Sequence, residues 1–151
     1  MSKALNTIVK VFIVCGMLLG AAFILAVLFF PEALGKLLFH NVNGSSWRGY
    51  VSGALAVLAM LGCEFIALTM FKMMRSLEQN PFVAGNVAAM RRMGFTALGV
   101  TACGLITLAF VPAPLLVVGA LPVGLCGLCA LVLSNVFSRA VAYKEENDLT
   151  V

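Results

Sequence analysis

Charge is what this chain has least of. Only 11% of its 151 residues are Asp, Glu, Lys or Arg, there is one His, and tyrosine and tryptophan together number three. One His cannot build a metal-spaced cluster or a Ser-His-Asp set, and no Gly-rich phosphate loop is present, so a hydrolase or metalloenzyme has little to work with. No enzymatic activity and no cofactor are expected. The ten Lys and Arg give a net charge of +4, but they fall in small clusters between apolar runs. Direct nucleic-acid binding needs them gathered on one solvated face and is therefore not expected.

What is present is hydrocarbon. Hydrophobic residues make up 62% of the chain, against roughly 45 to 50% in soluble domains. A helix needs about 20 apolar residues to cross a bilayer core of about 30 Å. Four runs qualify: Val11 to Phe30, Tyr50 to Phe71, Met93 to Val111 and Leu115 to Phe137. The expected fold is an all-α membrane protein, a single domain over 1–151 with four transmembrane helices in an antiparallel bundle. The spans lie at about 8–30, 48–74, 87–111 and 115–141, with a tail at 142–151. The first run is longer than the apolar core of a secretory signal and ends in "LFFPE", so it reads as a retained span.

Orientation follows from the cations, because cytoplasmic loops are enriched in Lys and Arg. Lys3, Lys10, Lys72, Arg75, Arg91, Arg92, Arg139 and Lys144 fall on one side; Lys36 and Arg48 fall on the other. Both termini are thus expected in the cytoplasm, in a multi-pass membrane protein. Trp47, Tyr50 and Tyr143 suit the aromatic belts at the two interfaces. In the outer loop, Glu32, Lys36 and His40 recur every four residues opposite Leu34, Leu37 and Leu38, the pattern of a short interfacial helix between helices 1 and 2. His40 reads as a solvated surface residue rather than a ligand.

The cytoplasmic loop "MMRSLEQNPFVAGNVAAMRRMGF" is broken at Asn80-Pro81, and Asn86 is placed to cap helix three. Arg91 and Arg92 sit near that helix's N-terminus, where the macrodipole disfavours cations by at most about 1 kcal/mol. Their ordinary role is topogenic; the alternative is a basic patch for anionic lipid or an acidic partner. The tail "RAVAYKEENDLTV" turns acidic at Glu145, Glu146 and Asp148 and ends in Leu149 and Val151 around Thr150. It reads either as a frayed end or as a docking strip.

Four spans with "NPFVAGN" leading into "MRRMG" and a terminal "EENDLTV" resemble the bacterial membrane family catalogued as domain of unknown function 2975. The likeness in layout covers nearly the whole chain. The motif rests on Pro81, Phe82, Asn86, Arg92, Gly94 and the last seven residues. That family has no established activity to carry over. Its members are frequently encoded beside a small helix-turn-helix regulator, which implies that they hold or modulate it at the membrane. On that basis the residues expected to dock a cytoplasmic transcription regulator are Pro81, Phe82, Asn86, Arg91, Arg92, Glu145, Glu146, Asp148, Leu149 and Val151.

Three constellations remain. Glu64 stands in "LGCEFIALTM", about 4.5 Å from the span midpoint near Leu61 at about 1.5 Å per residue. A charge near a helix centre costs roughly 2.5 to 3.5 kcal/mol, so this carboxyl must be neutral or paired. Thr101 lies at similar depth on helix three and is the expected donor, with Asn135 and Ser134 nearer the cytoplasm. Glu64 either fixes helix packing through a hydrogen bond or serves a small proton-coupled transporter, although the midplane offers few other polar groups. Cys126 and Cys129 form a C-x-x-C on one helix face, as in four-span quinone-linked thiol oxidoreductases. The outer loops hold no Cys to pass disulfides onward, which favours a packing role. Finally, small residues recur: Gly16 and Gly20 in span one, Gly53, Ala56, Ala59, Cys63 and Ala67 in span two, and Gly99, Cys103, Gly104, Ala120, Gly124 and Gly127 in spans three and four. They allow close helix approach in lipid, within one chain or in a homo-oligomer. Pro122 is expected to bend span four.

Overall fold

The computed structural model describes residues 3–30, 47–77, 83–111 and 114–148. All of these are helical except Phe30, Val83 and Val111. Four helices follow in order: α1 Lys3–Phe29, α2 Trp47–Leu77, α3 Ala84–Phe110 and α4 Pro114–Asp148. Each contains a stretch long and apolar enough to cross a membrane: Asn6–Phe29, Trp47–Ser76, Ala84–Phe110 and Leu116–Lys144. The expected outer interfacial helix, with His40, lies outside the described residues. So do Pro81, Phe82, Leu149 and Val151.

The helices exist because an apolar chain in lipid must satisfy every backbone N–H and C=O internally. Side-chain hydroxyls obey the same demand. Ser52 donates to Gly49 O (2.9 Å), Thr69 to Phe65 O (2.8 Å), Thr107 to Cys103 O (2.8 Å) and Ser134 to Leu131 O (2.7 Å), each folding back onto its own helix. Ser134 is the most deeply buried side chain described, although it is polar.

Helices pack in chain order. The broadest contact joins α3 to α4, the next joins α2 to α3, and a smaller one joins α1 to α2. Among the described residues no comparable contact closes α1 onto α4, so the four helices follow one another as an open row. Its consequence is a thin core: Ile13, Met74, Val87, Ala97, Val111, Ala120 and Val141 are the buried apolar residues, while Leu, Val and Phe cover the outside.

The α3·α4 seam is made of small residues. A methyl group at Gly94 would meet Gly127 O at 2.9 Å and Leu131 Cγ at 2.6 Å; one at Gly127 would meet Ala97 Cβ at 2.8 Å and Gly94 O at 3.0 Å. Farther along, Gly124 faces Thr101, and Gly104 faces Ala120. Backbones can approach this closely only where side chains are absent. A hydroxyl hydrogen bond also crosses the seam. Thr101 Oγ1 donates to its own Ala97 O at 2.9 Å and to Ala120 O at 3.1 Å, in the turn that contains Pro122. Helix α4 runs through Pro122 without interruption.

At one end of α2 and α3, Trp47 meets Phe110 edge to face, with centroids 5.9 Å apart, and the Arg48 guanidinium sits 5.7 Å from the Trp47 ring. Gly62 abuts Val100 and Thr96 midway along the same pair.

Helix α3 starts earlier than its sequence suggests. Asn86 does not cap it: the N-cap is Val83, in an extended conformation with no side-chain capping bond, and the Asn86 backbone N–H donates to Val83 O at 2.9 Å. An Asn cap is worth only about 1 kcal/mol. Adding the extra turn places Asn86 and Val87, both buried, on the packed face.

Candidate functional site

Glu64 projects from the middle of α2 toward α1. A methyl group built on Gly20 would lie 3.2 Å from Glu64 Cδ and 3.8 Å from Met60 Cε, and nearer still to Glu64 Oε1. Met60 and Glu64 are one turn apart, so they share a face and together cover the bare backbone of α1 at the buried Gly20. Gly20 is thus the residue that gives the carboxyl its seat. The half-buried Glu64 makes no hydrogen bond or ion pair among the described residues.

The polar partner expected from the sequence is elsewhere. Thr101 faces away from α2, into the α3·α4 seam, where its hydroxyl is taken by Ala97 O and Ala120 O. Asn135 is exposed on the outer face of α4, whereas its neighbour Ser134 is buried. The intramembrane group Glu64, Thr101 and Asn135 is therefore not one cluster, because rotation of each helix sends its polar residue in a different direction. Depth could be read from residue number; rotation could not. Gly20 was visible as half of a G-x-x-x-G, but its role opposite a carboxyl was not.

A second grouping lies at helix ends. Lys72 and Arg75 are exposed in the last turns of α2, Arg91 and Arg92 are exposed in the early turns of α3, and Arg139 and Lys144 are exposed near the end of α4. Helix α4 has 35 residues, about 52 Å at 1.5 Å per residue, which exceeds the hydrocarbon thickness of about 30 Å. Its final turns carry Glu145, Glu146 and Asp148 as a helix rather than as a frayed tail.

The five cysteines are free thiols; Cys126 and Cys129 are exposed on α4. Among the described residues no group of three or more His, Cys, Asp or Glu could hold a metal ion.

Four helices of this length and apolarity define a multi-pass membrane protein. No family model matches the chain, and no curated protein or solved structure does either.

Proposed function

We propose that this protein is a multi-pass component of the bacterial inner membrane, with four antiparallel spans and both ends cytoplasmic. It acts there, without enzymatic activity, as an anchor or signal-responsive modulator of a small cytoplasmic helix-turn-helix transcription regulator. The observation that carries this reading is the helical continuation of α4 to Asp148, past an apolar stretch that ends at Lys144. It carries the acidic residues of the tail on a helix, at the same end of the α3·α4 pair as Arg91 and Arg92. The antiparallel sense is supported by the order of contacts along α3 and α4, where Gly94 pairs with Gly127 and Gly104 with Ala120. The resemblance to the family catalogued as domain of unknown function 2975, carried by the loop and tail motifs, suggests the class of partner.

The test is inspection of the neighbouring genes for a helix-turn-helix regulator, followed by its co-purification from membranes with this chain, with and without residues 145 to 151. Deletion should release it; a regulator retained in full by the truncated chain counts against the proposal.

One observation favours a second reading, a small proton-coupled transporter: the Glu64 carboxyl has no hydrogen bond or ion pair among the described residues. In proteoliposomes, Glu64→Gln should then abolish proton-driven uptake. If the anchor reading holds, the same variant should still capture the regulator.

A further inference from the structure

The outer face of α4, turned away from α3, carries a feature that neither reading uses. Val132, Asn135, Val136, Arg139, Ala140 and Tyr143 line an open concavity of about 480 Å³. Asn135, Arg139 and Tyr143 are spaced four residues apart, and so are Val132, Val136 and Ala140, so the two rows stand side by side on one helix face. Val132, Val136 and Tyr143 are 63%, 59% and 72% exposed. Nothing among the described residues covers them, since α4 packs through Ala120, Gly124, Gly127, Ser134 and Val141 on its other side.

Polarity along this face is graded. Val132 lies at the end nearer the membrane centre, the Asn135 carboxamide and Val136 follow at one level, then the Arg139 guanidinium beside Ala140, and last the Tyr143 phenol. From Val132 to Tyr143 the rise is about 16 Å. A phospholipid presents the same order over a similar distance: acyl chain, ester carbonyls, phosphate, headgroup. Asn135 donates amide N–H groups to which ester carbonyls are acceptors. Arg139 makes no hydrogen bond or ion pair among the described residues, and a guanidinium fork matches two phosphate oxygens. Lys144, exposed five residues beyond Arg139 on another side of α4, adds a second cation at this end of the helix, and the exposed Glu146, seven residues beyond Arg139, bounds the site on the same face.

We propose that this face is a binding site for one anionic phospholipid in the leaflet that holds the C-terminal end of α4. The phosphate is held by Arg139, the ester region by Asn135, and an acyl chain runs over Val132 and Val136. A second copy of the chain is a poorer occupant, because a two-fold axis through this face would set Arg139 against its own counterpart with no acid between them.

Native mass spectrometry of the full chain, released from vesicles of equal phosphatidylglycerol and phosphatidylcholine, reads the site directly. The unaltered chain should retain phosphatidylglycerol over phosphatidylcholine by about fivefold, the scale expected for one cation near a membrane surface. Arg139→Gln should remove the preference, Arg139→Lys should restore part of it, and Arg75→Gln should leave it intact. Should Arg139→Gln fail to fold, Val136→Trp fills the apolar end and should lower retention of both lipids. Equal retention of the two lipids by the unaltered chain overturns the proposal. So does a preference that survives Arg139→Gln, one lost equally in Arg75→Gln, displacement of the lipid by inorganic phosphate alone, or a dimer that covers this face.

Discussion

Gly94 and Gly127 each stand where the other's carbonyl oxygen would meet an added methyl group, at 2.9 and 3.0 Å. Backbone cannot swing aside as a side-chain tip can. Gly127→Ala should therefore destabilise the α3·α4 pair by about 1 to 3 kcal/mol, the usual cost of overpacking, measured as a lower midpoint in a denaturing-detergent titration. Gly99 has open space around it, and Gly99→Ala should stay within about 0.5 kcal/mol of the unaltered chain. Gly20 is an intermediate case. The group opposite it is the far end of a flexible Glu64 side chain, so Gly20→Ala should displace the carboxyl at a smaller cost than Gly127→Ala. Thr101→Val removes the hydroxyl bond across the seam and should cost about 0.6 kcal/mol, the average for such bonds in membranes; the same titration checks it. Which glycines matter was only partly legible in the sequence. Gly20, Gly104, Gly124 and Gly127 belong to the small-residue pattern and do sit at crossings, whereas Gly16, Gly53 and Gly99 belong to it and face open space. Gly62, Gly94 and Ala97 are seam residues that the pattern did not single out.

Element by element, the four spans were readable because hydrocarbon thickness sets a length that an apolar run either meets or does not. Helix ends and helix rotations were less so. Helix α1 begins at Lys3 and α3 at Ala84, each earlier than the apolar run alone suggests, since a helix in lipid stops where water can take over its backbone groups and not where hydropathy falls. Rotation is hidden for a related reason: a helix that is apolar around its whole circumference has no polar stripe to mark its outer surface. For that reason Thr101, at the expected depth, faces α4 and not Glu64. The same physics makes the end of α4 informative. Its last turns leave the apolar stretch and remain helical to Asp148. Ala142→Pro should break that extension, because the residue four back loses its hydrogen-bond partner and meets the pyrrolidine ring. It should leave insertion and the α3·α4 seam unchanged. On the proposed anchor role, regulator capture from membranes should fall as far as on deletion of residues 145 to 151; capture at the unaltered level counts against docking on a helical tail.

At the scale of the whole molecule, the open row has a consequence for topology. With the main contacts of the described residues between sequential helices, no broad closure of α1 onto α4 fixes the spans, and the proposed sense of crossing rests on the cations at their ends. Eight Lys and Arg on one side against two on the other is the bias that can do this. In a background without the five native cysteines, Cys introduced at Ser46 should react with a membrane-impermeant maleimide added outside intact cells. On the proposed topology, Cys at Ser76 or Asn147 should react only after the membrane is opened. Reversing the charge at Arg91 and Arg92 together weakens the retention signal between α2 and α3, the position where no opposing cation lies close in sequence. A fraction of chains should then expose Ser76 to the outer reagent while Asn147 stays protected, because Arg139 and Lys144 still hold the end of α4. Full protection of Ser76 in that variant would mean that helix packing, through the Trp47 to Phe110 contact and the Gly62 crossing, fixes the orientation of α2 and α3 without help from charge.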